Sequence, residues 1–273
     1  IQNAKLKMLS LTLGVIKFVK NWENKMVDVK GKWAFITGAA RGIGLRIAKF
    51  MASKGCNLIL HSRSLEHTTS VLEEVKAMGV EAIHVACELS DPNEVQKMID
   101  EVNASGKPVD ILFNDAAVQI AYRKDYYKTP VEDYVTSFYI NTIAPMMLCY
   151  EFIPKMIERG FGRVINTTSG IRNEPEQAGY SASKAALDKV TADLAGKLDG
   201  TDVCINLADP GWCRTDLGGP NAPNDPDSVI PGIVLGAFID DKISGRWLGA
   251  QDFSGMSLED ALEKAKGYKK LFL

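Results

Sequence analysis

Tyr180 and Lys184 stand four residues apart in the run Tyr180-Ser181-Ala182-Ser183-Lys184. Residues at i and i+4 share one face of a helix, so a helix here sets a phenol beside an ammonium. A free phenol titrates near about 10 and is almost wholly protonated at neutral pH. A neighbouring cation favours the phenolate and brings proton exchange toward working pH. Such a pair can give a proton to a carbonyl oxygen or take one from an alcohol. By itself it is weak evidence, because a tyrosine and a lysine often merely share a surface.

A second cluster lies far upstream. Thr37-Gly38-Ala39-Ala40-Arg41-Gly42-Ile43-Gly44 follows an apolar run and precedes a helical pattern. Glycine permits a tight turn and close approach of a phosphate to the backbone. The start of the next helix offers free N–H groups and a positive dipole end to a pyrophosphate. Gly38, Arg41, Gly42, Ile43 and Gly44 are therefore candidate dinucleotide contacts, and the strand-turn-helix context supports them. The end of the second apolar run selects the cofactor. An acidic residue there would hold an adenosine 2′-hydroxyl and repel a 2′-phosphate. This chain has Ser62-Arg63, with Arg41 in the preceding turn. Two guanidinium groups can grip a phosphate, although exposed arginines are also common on any surface.

These side chains need elements to position them. Apolar runs at 33–37, 57–61, 82–86, 111–113, 163–167 and 203–207 read as strands. Helical patterns at 43–54, 66–78, 92–103, 131–143, 144–158 and 180–198 separate them. This alternation predicts an α/β fold: a doubly wound, Rossmann-like parallel sheet with helices on both faces. Ligands in such a fold sit beyond the carboxyl ends of the strands. The stretch 218–232, rich in Gly, Pro, Asn and Asp, reads as a long surface loop or lid. Residues 1–30 read as an N-terminal helical extension and 31–273 as one domain. Polar or small residues at 7, 10, 14, 17 and 21 form one stripe of an otherwise apolar helix. That helix docks on protein or lies on a membrane surface; it is too short and too charged to span a bilayer.

The pieces above, taken together, resemble the short-chain dehydrogenase/reductase family. TGAARGIG at 37–44 is followed in family order by Asn114-Asp115-Ala116-Ala117, Asn141, Ser169, YSASK at 180–184, and Pro210-Gly211 with Thr215. The resemblance implies catalytic roles for Asn141, Ser169, Tyr180 and Lys184. Ser169 would position the substrate oxygen, Tyr180 would act as general acid/base, and Lys184 would lower its pKa and hold the nicotinamide ribose. Asn141 would place a relay water. Asn114 is implied on the cofactor side, as are Glu88 and Leu89, where the family commonly has an aspartate against the adenine. Pro210, Gly211 and Thr215 would hold the carboxamide. The family usually shows Asn-Asn-Ala-Gly where this chain has Asn-Asp-Ala-Ala. Its usual gap of twelve residues before the tyrosine points to Thr167, whereas Ser169 leaves ten. Counting forward from strand 162–165 favours Ser169, with a shortened loop.

The implied reaction interconverts a ketone and a secondary alcohol with NAD(H) or NADP(H). The extended amino terminus, the short Ser-to-Tyr segment and PGWCRTDLGGPNAP are similar to bacterial hydroxysteroid dehydrogenases, 20β-enzymes among them, and imply a steroid. Reduction of 3-oxoacyl thioesters or other carbonyl compounds is the alternative, and a non-catalytic dinucleotide-binding protein is the third reading. Val118, Ile120, Tyr122, Ile171, Trp212 and Leu217 would line an apolar pocket.

Composition sets the outer bounds. The 273 residues are 46% hydrophobic and 24% charged, with a net charge of -2. They suit a globular core and show no basic footprint for nucleic acid. Five cysteines, none in CxxC spacing, fit free thiols in a reducing cytoplasm. His61, His67 and His84 form no ligand pattern, so no metal is expected. A homo-oligomer, dimer or tetramer, is expected from the family resemblance.

Overall fold

The computed structural model describes residues 26–268. The predicted amino-terminal helix therefore lies almost wholly outside the described residues. Seven parallel strands form one sheet in the order β3-β2-β1-β4-β5-β6-β7. They are β1 (Trp33–Ile36), β2 (Asn57–Ser62), β3 (Ala82–Ala86), β4 (Ile111–Asn114), β5 (Gly162–Thr167), β6 (Val203–Asp209) and β7 (Trp247–Gly249). Every residue of β1, β4 and β5 is buried. A strand covered on both faces has no solvent side to mark with polar residues, which is why these runs are continuous rather than alternating.

Eight α-helices flank the sheet among the described residues. They are α1 (Gly42–Ser53), α2 (Glu66–Ala77), α3 (Pro92–Ala104), α4 (Val131–Phe138), α5 (Ala144–Arg159), α6 (Ala178–Ala195), α7 (Leu235–Phe238) and α8 (Leu258–Ala265). One face of the sheet packs on α1, α2, α7 and α8 through Ile47, Met51, Val75, Phe238 and Ala261. The other packs on α3, α5 and α6 through Val95, Met98, Leu148, Phe152 and Ala195. The doubly wound arrangement expected from the sequence is present. None of the described helices is long and apolar enough to cross a membrane.

The order places β1 between β2 and β4, so the chain leaves β1 toward one side and reaches β4 on the other. A crevice opens at the carboxyl ends of strands where their order reverses in this way. Local chemistry fixes the approach to it. Asp91 caps α3 by accepting a hydrogen bond from the Asn93 N–H, with Pro92 in the first turn.

Three features depart from the sequence reading. Residues 26–30 already belong to the domain, because Val27 and Val29 are buried and the Val27 N–H donates to the Phe238 carbonyl at 2.9 Å. The stretch 218–232 is a surface loop only in its first half: Val229 and Gly232 are buried, and a short 3-10 turn forms at Pro226–Val229. The two helices read at 131–143 and 144–158 are joined without a break by a π-helical turn, Tyr139–Ile143. Such turns insert a residue into the helical ladder and are frequent at functional sites.

Candidate active site

The turn between β1 and α1 is built by close approach. Gly38, at φ 70°, is packed so tightly that an added Cβ would lie 2.9 Å from the Ala116 Cα. A Cβ on Gly44 would lie 2.3 Å from the Gly38 carbonyl oxygen. His61, at the end of β2, secures the turn. Its Nδ1 accepts from the Gly38 N–H at 3.3 Å, and its Nε2 faces the Cys87 carbonyl at 3.1 Å, which makes Nε2 the donor. Burial pushes its pKa down to about 4, so the neutral tautomer persists. The sequence reading used His61 only to exclude a metal, although its place at a strand end two residues before Arg63 was visible. Arg41, at the N-cap of α1, caps none of the helix's first N–H groups with its side chain. The Gly42 and Ile43 donors remain available to an anion, whereas Gly44 lies against the Asp115 carboxylate; among the described residues the contact above Gly42 is Thr215, whose methyl is 3.7 Å from where a Cβ would stand.

The candidate cofactor residues are distributed unevenly. Arg63 is exposed and has no hydrogen-bond or ion-pair partner among the described residues, whereas Arg41 pairs with Asp216 at 2.7 Å. Ser62 is turned inward onto the Ser64 carbonyl at 2.5 Å. Gly211, at φ 71°, donates to Asp209, and Gln251 donates to the Pro210 carbonyl. Three further candidates make contacts within the protein, and the Oδ1 of Asn114 is buried with no hydrogen-bond partner among the described residues. Asn114 is buried and donates to Asn166 at 2.8 Å. Leu89 packs in the core. The Glu88 carboxylate folds back to accept from both the main-chain N–H and the hydroxyl of Ser90.

Beyond β5 the chain runs Thr167-Thr168-Ser169. Thr167 Oγ1 donates to Asp115 at 2.8 Å, and Thr168 donates to Asp188. Both threonines are buried, and their hydroxyls are committed to carboxylates. Of the three, Ser169 alone is not fully buried, and its hydroxyl lies close enough to the Tyr180 phenol to draw the phenol's pKa downward. Tyr180 lies in the first turn of α6 and is 7% exposed. The helix can begin there because Gly179 lets it approach α4; a Cβ would meet the Asp133 carbonyl oxygen at 2.8 Å.

Burial pushes the Tyr180 phenol up to about 12, and the Ser169 hydroxyl, rather than the Lys184 ammonium, is the group that draws it down. Lys184 is turned away toward the Thr167 carbonyl, to which Nζ donates at 2.7 Å. Burial lowers the Lys184 pKa to about 8, against the opposing pull of Asp115, Asp188 and Asp209. None of these three carboxylates figured in the sequence reading of the chemistry. Asn141 sits in the π turn. Its amide oxygen accepts from the Val118 N–H and its amide nitrogen donates to the Val118 carbonyl and to Ser183 Oγ. Thr142 donates to the Ser183 carbonyl. The turn thereby fastens the segment after β4 to the helix that carries Tyr180 and Lys184. Among the described residues no group of three or more His, Cys, Asp or Glu side chains is arranged to hold a metal ion. All five cysteines are free and buried.

A parallel sheet with a glycine-built turn after β1, and a tyrosine and lysine on the helix after β5, defines a dinucleotide-binding type of α/β domain. The family model for short chain dehydrogenases matches residues 32–225, and the chain belongs to that family. A short chain dehydrogenase of Pseudocercospora fijiensis is 32% identical over 71% of this chain, which spans 63% of the length of that relative. The 3-oxoacyl-[acyl-carrier-protein] reductase of Staphylococcus epidermidis is 31% identical over 77% of this chain and 86% of its own. Among solved structures, the angucycline C-6 ketoreductase LanV with bound NADP matches at a TM-score of 0.74. It is 25% identical and covers 85% of this chain and 97% of its own.

Proposed function

We propose that this chain reduces a ketone to a secondary alcohol with NADP(H), and that the ketone sits on a bulky apolar ring system of the steroid kind. The observation that carries the reaction is the Tyr180 phenol, buried in the first turn of α6 within the influence of the Ser169 hydroxyl, with the buried Lys184 one turn further along the same helix. Ser169 positions the substrate oxygen and Tyr180 donates its proton. A phenol held near 12 stays protonated through the neutral range, which suits the reductive direction. Lys184 supplies positive charge beneath the site, and Asn141 positions the helix that carries it. When bound, the dinucleotide supplies the hydride; the start of α1, Arg63, Lys184 and Thr215 would hold it.

The ring-system reading rests on exposed apolar side chains at the carboxyl rim. Tyr122 and Trp212 are 55% and 58% exposed, and Leu217, which follows Trp212 closely in the chain, is 42% exposed. The likeness to the angucycline C-6 ketoreductase LanV supports a ketone substrate. Reduction of an acyl-carrier thioester is the second reading, favoured by the staphylococcal relative. The NADP(H) preference rests on Arg63, just beyond the end of β2, an exposed cation with no partner among the described residues. A panel of ketosteroids, smaller ketones and 3-oxoacyl thioesters, assayed with both nicotinamides, tests these points together. Activity is expected on the ketosteroids with NADPH. Arg63→Ala is expected to raise KM for NADPH about tenfold or more, the worth of a lost charge-assisted hydrogen bond, and to leave NADH nearly unchanged. Equal effects on both would remove the 2′-phosphate reading, and turnover of thioesters alone would replace the substrate.

A homo-oligomer forms part of the same proposal. Val131, Tyr134, Val135, Ile143 and Tyr150 leave an apolar stripe exposed along α4 and α5, of the kind that marks an interaction surface. A monomeric mass by light scattering at micromolar concentration would remove that assignment.

A further inference from the structure

Asp115 is the strongest unexplained group near the site. It follows β4 and occupies the position where the family usually carries asparagine. Its carboxylate touches two separate elements. It accepts from the Thr167 hydroxyl at 2.8 Å, and its Oδ2 packs against Gly44 in the first turn of α1, 3.1 Å from where a Cβ would stand. Its own N–H donates to Thr37 Oγ1 at 3.0 Å. Thr167 is thus a two-sided bridge: its hydroxyl holds Asp115 while its carbonyl accepts from Lys184 Nζ at 2.7 Å.

We propose that Asp115 is a positioning residue whose carboxylate ties the glycine turn to the Thr167–Lys184 contact and holds the Lys184 ammonium in its charged form. Three carboxylates face that ammonium from different elements. Asp115 comes from just after β4, Asp188 from α6 and Asp209 from the end of β6. Asp188 is bonded by the Thr168 hydroxyl, and Asp209 by the Gly211 N–H. Of the three, Asp115 opposes the effect of burial on Lys184 most strongly. Burial raises the Asp115 carboxyl to about 6 and lowers Lys184 to about 8. Carboxylate and ammonium are both charged only between these limits, which bracket neutrality.

This inference rests on the Tyr180–Lys184 reading, so one of its readouts is independent of turnover. In the full-length protein with lysines labelled at 13Cε, the Lys184 resonance is titrated in wild type, Asp115→Asn and Asp115→Glu. Asparagine preserves size and the family's usual residue but removes the charge. Its loss is expected to move the Lys184 midpoint acidward by about one pH unit, within the range for a close opposite charge. The alkaline limb of the reductase pH–rate profile should move with it. Asp115→Glu retains the charge and is expected to restore most of the midpoint even if the rate falls. Should Asp115→Asn not fold, Asp115→Ser, smaller and equally uncharged, is titrated in its place. An unmoved Lys184 midpoint overturns the proposal, as does a rate that falls uniformly with no displacement of the limb. If Lys184 shifts as expected while Tyr180→Phe keeps full turnover, the catalytic reading fails and the charge coupling stands.

Discussion

Replacing Tyr180 with Phe is expected to cut turnover by ~100-fold or more, the usual worth of a positioned general acid, with the dinucleotide dissociation constant moved no more than about threefold. The ring is buried at the start of α6, and phenylalanine keeps its packing while deleting one oxygen. That oxygen is the group on which the Ser169 hydroxyl acts. The contacts proposed for the dinucleotide are spread over the start of α1, Arg63 and Thr215, so affinity has other anchors. Because burial holds the phenol near 12 and Lys184 near 8, the wild-type rate should decline first with Lys184 as pH rises. Steady-state turnover with a ketone and direct titration of the dinucleotide separate chemistry from binding. A variant that keeps more than about a tenth of wild-type turnover would mean that another group delivers the proton.

The second large effect distinguishes two hydroxyls two residues apart. Ser169→Ala is expected to lower kcat by ~100-fold or more, comparable to the loss of one oxyanion-type donor. Thr167→Ala is expected to cost far less rate. Its hydroxyl is spent on Asp115 and cannot also face substrate, so its removal should appear mainly as a stability loss of about 1 kcal/mol. Parallel kinetics and thermal melts of the two variants decide the matter. A crippled Thr167→Ala beside an active Ser169→Ala would show that the twelve-residue spacing, and not the shortened loop, identifies the catalytic hydroxyl.

The strands were legible because burial on both faces leaves an unbroken apolar signature, as in Trp33–Ile36 and Ile111–Asn114. Gly55 and Gly79, read from the sequence as the ends of the first two helices, both take positive φ there. β7 was not legible. Three residues are too few to show a period, and the strand is anchored at its start by Arg246, whose N–H donates to Oδ1 of the distant Asn206 at 2.9 Å. Arg163 and Arg246 read as surface charges by type, yet both are fully enclosed and satisfied by carbonyls and aspartates. The site divided along the same line. Tyr180 and Lys184 were visible because one helix fixes their spacing. The carboxylates at 115, 188 and 209 come from three elements, and only the folded sheet brings them around one lysine.

The π turn at Tyr139–Ile143 holds one residue more than an α-helical turn would. Each residue of an α-helix advances the azimuth by about 100°. The widened turn absorbs one such step locally, so the faces of α4 and α5 keep the phase of a straight helix one residue shorter. Deleting one residue within the turn would close it to an ordinary helix while α5 kept its apolar face on the sheet. What would be lost is local: Asn141 would no longer be held where it grips both the N–H and the carbonyl of Val118. The extra residue decides where Asn141 stands and leaves the meeting of helix and sheet unaltered.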